Sequence, residues 1–291
     1  MIIMSSKSRE TKPKMNPQKT WSLTCGNGGE NHTGMEFLGS MRKTGEGWDL
    51  EKLLYAKDIL ENIFGKTVEL YNLNELCLKE VEIPTKDKPK DGYLMVVRNF
   101  LGENVHKKFI KELESYKWDR KYYDTRRKKV LNKNARANVC YGETGRAPDY
   151  ANKLGTIIGY DKSPLVHTFK KSVEILMQDK NLIVEGNQYD NVRVNGIGPH
   201  GDTERVCVAC LRVGASMPMK FGMFWNCKMR GKSFQTIING GDMYVMSEEL
   251  VGAGWKRKSK WIWRHAAGAP KYLKMKGEND SQGESKSSKN D

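Results

Sequence analysis

The chain has 291 residues, with 50 Lys and Arg against 35 Asp and Glu, a formal net charge of +15 that favours a polyanionic partner, nucleic acid first. It holds no run of about 18 apolar residues that could form a membrane-spanning helix, and its start, MIIMSSKSRETKPK, lacks the pattern of a secretory leader. Its six Cys are too sparse for a disulfide scaffold and fit a reducing compartment, cytoplasm or nucleus.

Residues 1–19 are mostly polar and are expected to be a disordered arm, as is the tail 277–291, which has no apolar residue to bury. Residues 20–92 read as a small α/β module. In it, WSLTC is a strand and GNGGENHTGM a Gly-rich loop. DLEKLLYAKDILENIF carries a helical apolar stripe, with Asp49 as N-cap and Gly65 as stop. KTVELYNL alternates as a strand, and PTKDKPKDG has the composition of a linker.

The main block, 93–276, opens with YLMVVRNFL as a strand and VHKKFIKELESYKW as an amphipathic helix. Residues 117–136 hold nine Lys or Arg against two Asp. SPLVHTFKKSVEILMQD is a second helix. Seven short strands then follow, LIVEG, VCVACLRV, MKFGMFW, SFQTII, DMYVMS, WIWRH and KYLKMK. Short strands with Gly-rich turns point to a barrel or a jelly-roll sandwich, with the helices packed outside it.

The chain has five histidines. His200 and Asp202 form His-x-Asp in IGPHGDTER, and residues at i and i+2 of a strand face the same side. His265, 63 residues after Asp202, can complete a two-His, one-carboxylate triad. Such a triad leaves coordination positions open and is the ligand set of non-haem Fe(II) oxygenases. Glu204-Arg205 reads as a structural ion pair, and Cys207 and Cys210 as core thiols facing opposite sides of a strand. His32, near Glu30, reads as a turn histidine in preference to a second metal site. Residues 255–276 hold eight Lys or Arg and no acid, interleaved with Trp255, Trp261, Trp263 and Tyr272. The charge suits phosphates, whereas the Trp residues read as core.

Five stretches, in order, resemble the AlkB-type family of Fe(II)- and 2-oxoglutarate-dependent dioxygenases. They are ARANVCYGETG, NLIVEGNQYDN, IGPHGDTER, VACLRVGASMPMKF and GGDMYVM, and the resemblance covers roughly residues 93–276. It implies an α+β chain: a double-stranded β-helix (jelly-roll) core with flanking helices and a small N-terminal α/β annex. It implies Fe(II) on His200, Asp202 and His265, and 2-oxoglutarate near Asn187 and Tyr189. Arg136, Tyr141 and Gly142 become the substrate-side lid, meeting a base flipped out of DNA or RNA. The expected reaction is oxidative demethylation or hydroxylation of a modified base. One departure stands out, since no Arg follows His265, where the family grips 2-oxoglutarate with arginines. Lys274, nine residues on, is the first substitute; Lys271 is the second, and Arg212 lies on a strand parity that also suits the pocket. Two other readings stand beside this one: a prolyl-type protein hydroxylase, and an inactive dioxygenase-fold protein that binds nucleic acid.

Overall fold

A computed structural model describes residues 18–278. The expected arm and tail therefore lie almost wholly outside the described residues. Glu278, assigned to the tail, is built into the fold through Lys220 and Ser233.

The chain is mostly β. The strands, in order, are β1 (Thr20–Gly26), β2 (Gly28–Glu30), β3 (Phe37–Gly39), β4 (Thr67–Asn72), β5 (Tyr93–Arg98), β6 (Lys121–Asp124), β7 (Lys129–Asn132) and β8 (Ala137–Gly142). They continue with β9 (Ile157–Gly159), β10 (Ile183–Tyr189), β11 (Gly196–His200), β12 (Val208–Gly214), β13 (Met217–Trp225), β14 (Lys228–Ile238), β15 (Met243–Met246) and β16 (Ile262–Gly268). The helices are α1 (Leu50–Asn62), α2 (Leu73–Cys77), α3 (Glu103–Glu114), α4 (Pro164–Leu176) and α5 (Glu248–Val251).

Eight strands form one mixed sheet in the order β4-β5-β15-β12-β1-β10-β8-β9, and four form a second in the order β11-β16-β13-β14. Strand alternation gives the large sheet two apolar faces. Trp21, Leu23 and Cys25 of β1 and Leu211 and Val213 of β12 share a core with α1, α3 and α4. Val208 and Cys210, one step out of phase, face Met219, Phe221 and Met223 of the small sheet. The result is a jelly-roll-like sandwich with helices on one outer face. Cys207 and Cys210 fall in the two different cores, as the strand parity requires.

Local signals explain the helices. Asp49 caps α1 by accepting from the Lys52 N–H, and Gly65 adopts φ +60 just past its end. Pro164 starts α4, where a missing N–H costs nothing. The Glu112 carboxylate of α3 accepts from the Leu165 and Val166 N–H groups, so one helix caps the other.

The first block is not a separate module. β1 lies between β12 and β10 in the middle of the large sheet, and β4 lies at its edge beside β5, with three strands between it and β1. Its buried face finds its partners in the later strands, and a strand–helix–strand unit alone could not cover it. Two further expectations are corrected. KYLKMK is not a strand: a short 3-10 turn at Pro270–Tyr272 follows β16, and the chain then runs irregularly. ARANVCYG is not a surface lid, since residues 137–142 are β8, buried and paired with β10.

Candidate metal centre

β11 and β16 are antiparallel neighbours whose register sets His200 opposite His265. β11 is an edge strand, which tolerates Pro199 next to the histidine. The chain then turns sharply through Gly201. A Cβ there would meet the Gly252 carbonyl oxygen at 2.2 Å, so the residue between His and Asp must be small. The Asp202 N–H donates to the Val251 carbonyl at 2.9 Å, fixing the turn against the end of α5.

The three side chains converge. Oδ1 of Asp202 lies 3.7 Å from Nε2 of His200 and 3.6 Å from Nε2 of His265. One ligand atom from each of the three falls within 4.8 Å of the others. The side chains keep 22%, 14% and 7% exposure for His200, Asp202 and His265, so the centre is sheltered yet reachable. Nδ1 of His200 sits 2.8 Å from the Gly198 carbonyl, which directs its proton there and leaves Nε2 bare. Burial, then the neighbouring His265 ring, push His200 down to about 3, so it is neutral near pH 7. Burial alone would raise Asp202, but the His265 ring and the Arg205 guanidinium hold it below the ordinary carboxylate range. A neutral imidazole at His200 and an ionised carboxylate at Asp202 are protonation states a divalent transition metal requires of its ligands. This N,N,O set suits Fe(II) better than Ca or Mg, which take oxygen cages, or structural zinc, which needs a fourth closing ligand.

Glu204-Arg205 proves to be an ion pair with wider reach. Arg205 is buried and bonds Glu204 at 2.7 Å and Glu185 of β10 at closer range. Its Nε lies 3.4 Å from the second oxygen of Asp202. Glu185 accepts from Nδ2 of Asn187 at 2.9 Å, and Asn187 accepts from Nε of Arg136 at 2.7 Å. A chain of hydrogen bonds and ion pairs thus runs from Arg136 across β10 to Asp202.

The centre opens into a cavity of about 310 Å³. Asn187, Tyr189, Arg212 and Arg136 line it, together with the three candidate ligands. Arg212 is 1% exposed and makes one side-chain hydrogen bond, to the Ser22 hydroxyl at 2.6 Å. Its Nε is buried without a partner, and no carboxylate among the described residues pairs with it. The remaining candidates lie elsewhere. Lys274 and Lys271 are exposed and outside the cavity, with Lys271 set over the Tyr272 ring at 5.0 Å. The chain leaves β16 at Gly268, so the face on which Lys274 was expected does not exist. Tyr141 points away, into the helix-side core against Tyr116, and Gly142 follows it at the end of β8. The Trp residues divide: Trp263 is core, Trp261 stacks on Trp225 at 5.4 Å, and Trp255 borders the cavity beside Lys256.

Sequence reasoning missed the β1 contribution, Ser22 and Thr24, and it set aside Glu30 and His32, which line the same cavity. Burial, then Glu204 and Glu185, push the Glu30 carboxyl up to about 7. A carboxyl raised in this way contributes full stability below its unfolded value near 4.3, and loses it as pH rises through about 7. Glu30→Gln is therefore expected to stabilise the fold at pH 8 by about 1–2 kcal/mol after solvent screening, raising the unfolding temperature, and to leave it unchanged at pH 4. Thermal unfolding at the two pH values checks this, and equal effects at both would remove the electrostatic explanation.

Among the described residues, no helix is long and apolar enough to cross a membrane. No family model matches the chain. It is 32% identical over 260 residues to the uncharacterized protein R156 of Acanthamoeba polyphaga mimivirus, covering 88% of this chain and 98% of that protein. The chain belongs to the same family as R156.

Proposed function

We propose that this protein is an AlkB-type Fe(II)/2-oxoglutarate-dependent dioxygenase with a double-stranded β-helix core, acting on a modified base in DNA or RNA. The observation that carries the reading is one cavity holding both the His200–Asp202–His265 set and a buried arginine without a counter-ion. A divalent metal fits the first, and a dicarboxylate fits the second.

Bound Fe(II) and 2-oxoglutarate would supply O2-dependent hydroxylation of a C–H bond, with succinate and CO2 released. The chain supplies placement. His200, Asp202 and His265 hold the metal, and Arg205 orients Asp202 from behind. Arg212 takes the far carboxylate of the cosubstrate. Tyr189, whose hydroxyl has no protein partner among the described residues, lies beside it on the cavity wall. Asn187 is held by Arg136 and Glu185 and keeps its amide orientation fixed. The prolyl-type alternative leaned on the spacing of Lys274, which the position of that residue outside the cavity weakens. Metal-dependent succinate formation from 2-oxoglutarate, stimulated by a modified oligonucleotide, tests the reading. Absence of any turnover with intact metal binding would move it to the inactive binding protein.

The nucleic-acid part rests on charge. Arg126, Arg127, Lys128 and Lys129 cluster at the exposed β6–β7 turn, and Lys256, Arg257, Lys258 and Lys260 are exposed beside Trp255. Phosphate contacts release counter-ions, with a log–log salt slope of about −0.9 per contact on duplex DNA and about −0.7 on single strands. With about five such contacts, affinity is expected to fall over a hundredfold between about 50 and 200 mM salt. Charge reversal at Arg126, Arg127, Lys128 and Lys129 should flatten the slope. Salt-independent binding, or none at low salt, would point to a peptide substrate.

A further inference from the structure

The two main sheets have four edges, each a row of backbone groups open to another strand unless something protects it. Three of the four are protected. β9 is three residues long and is closed from outside by Arg146, whose N–H donates to the Ile157 carbonyl at 2.8 Å and whose carbonyl accepts from the Ile157 N–H at 3.0 Å. β11 contains Pro199, and β14 carries the exposed Lys228, Arg230 and Lys232. Short strands, prolines and cations are the common protections against edge-to-edge pairing. β4 has none of them.

Thr67–Asn72 pairs with β5 on one side, and no group among the described residues bonds the backbone of its other side. Its sequence, TVELYN, holds one charge, Glu69, and that carboxylate is taken by the Arg98 guanidinium at 2.7 Å. Both faces of the strand are packed, Val68 and Leu70 against the helix-side core and Tyr71 against Phe234. What stays open is the hydrogen-bonding edge. Exposed apolar side chains stand at its two ends: Ile63 and Phe64 before the strand, 71% and 62% exposed, and Leu76 after it, 50% exposed. Lys66 also precedes the strand, and the exposed Glu75 follows it.

Charge and chain order identify the occupant. Residues 49–75 hold six carboxylates against three Lys in a chain of net charge +15, so this face does not suit a polyanion. Two identical strands paired antiparallel are related by a twofold axis. That axis sets the residues just before the strand in one copy beside those just after it in the other. Lys66 then meets the partner's Glu75, and Ile63 and Phe64 meet the partner's Leu76. Each attraction occurs twice, as an isologous interface requires.

We infer that β4 is the docking edge for a second copy of this chain, where two large sheets join antiparallel into one. The inference stands apart from the dioxygenase reading, because none of these residues lines the cavity.

Sedimentation velocity of the full-length protein is expected to show a dimer growing in between about 1 and 100 μM, the range of a small interface. The amides of Thr67–Asn72 should exchange more slowly at the upper concentration, alternate ones most. Lys66→Glu and Glu75→Lys each set like charges together twice, and each should weaken association at least about tenfold. Mixing the two variants in equal amounts restores both contacts in the mixed dimer and should return wild-type association. The double variant Lys66→Glu/Glu75→Lys should do the same alone. Mixing cannot cure a folding defect, so this arm separates a lost contact from a lost fold. A wild type that stays monomeric at the upper concentration overturns the inference. So does a dimer that neither variant weakens, or a loss of association that mixing fails to rescue.

Discussion

Asp202→Ala is expected to weaken divalent-metal binding by well over about 100-fold and to abolish 2-oxoglutarate turnover while the protein stays folded. Asp202 is the carboxylate set between the two imidazole Nε2 atoms, at 3.7 and 3.6 Å. Removing it leaves two imidazole ligands and no anion to balance a divalent charge. Changes to groups that only orient a ligand already cost 10–100-fold in affinity, so losing a ligand costs more. The fold should survive because Arg205 keeps Glu204 and Glu185 as partners. Calorimetric titration with Co(II), read beside succinate formation, checks both halves. Normal turnover in a folded Asp202→Ala protein would refute the centre.

The His200–Asp202–His265 cluster was legible because His-x-Asp is a close pair in the chain and the chain offers few histidines. His-x-Asp marked the pair and His265 closes WIWRH opposite His200, but β11 ends at His200 and Asp202 is brought round by the turn at Gly201 and not by strand parity. The helices were legible from apolar spacing, and the Asp49 cap from one residue type at one position. What could not be read was long-range pairing. WSLTC looks like a strand anywhere, and nothing local says that it inserts between β10 and β12, some 160 to 190 residues away. That insertion brings Ser22 beneath Arg212 and the following loop to the cavity wall, so Glu30 and His32 looked like ordinary turn residues. Lys274 failed for a related reason. KYLKMK alternates like a strand, but no neighbouring edge accepts it, because β13 and β11 already occupy both sides of β16. Tyr141 failed on parity: Asn138 faces the cavity, and Tyr141, three residues on, must face the opposite side.

Arg212→Met is expected to raise the 2-oxoglutarate concentration at half-saturation by about 10- to 100-fold, with metal affinity unchanged, because charge-assisted hydrogen bonds contribute about 1.5–3 kcal/mol. Lys274→Ala and Lys271→Ala should have no effect, since neither side chain reaches the cavity. Arg212 is fully buried, donates to Ser22 at 2.6 Å, and has no carboxylate among the described residues to neutralise it. An uncompensated buried charge costs several kcal/mol, so a purely structural arginine here would be a poor choice. A dicarboxylate in the cavity supplies the missing charge, and the planar fork of Arg binds it through two parallel hydrogen bonds where Lys would offer a point charge. The same argument fixes the sign of a second effect. Arg212→Met removes the unpaired charge, so the ligand-free variant should unfold at a higher temperature than the wild type, while 2-oxoglutarate should stabilise it less. Initial-rate kinetics and thermal unfolding with and without 2-oxoglutarate measure the two together. Unchanged half-saturation combined with a lower unfolding temperature would make Arg212 a structural strut and leave the cosubstrate without its proposed anchor.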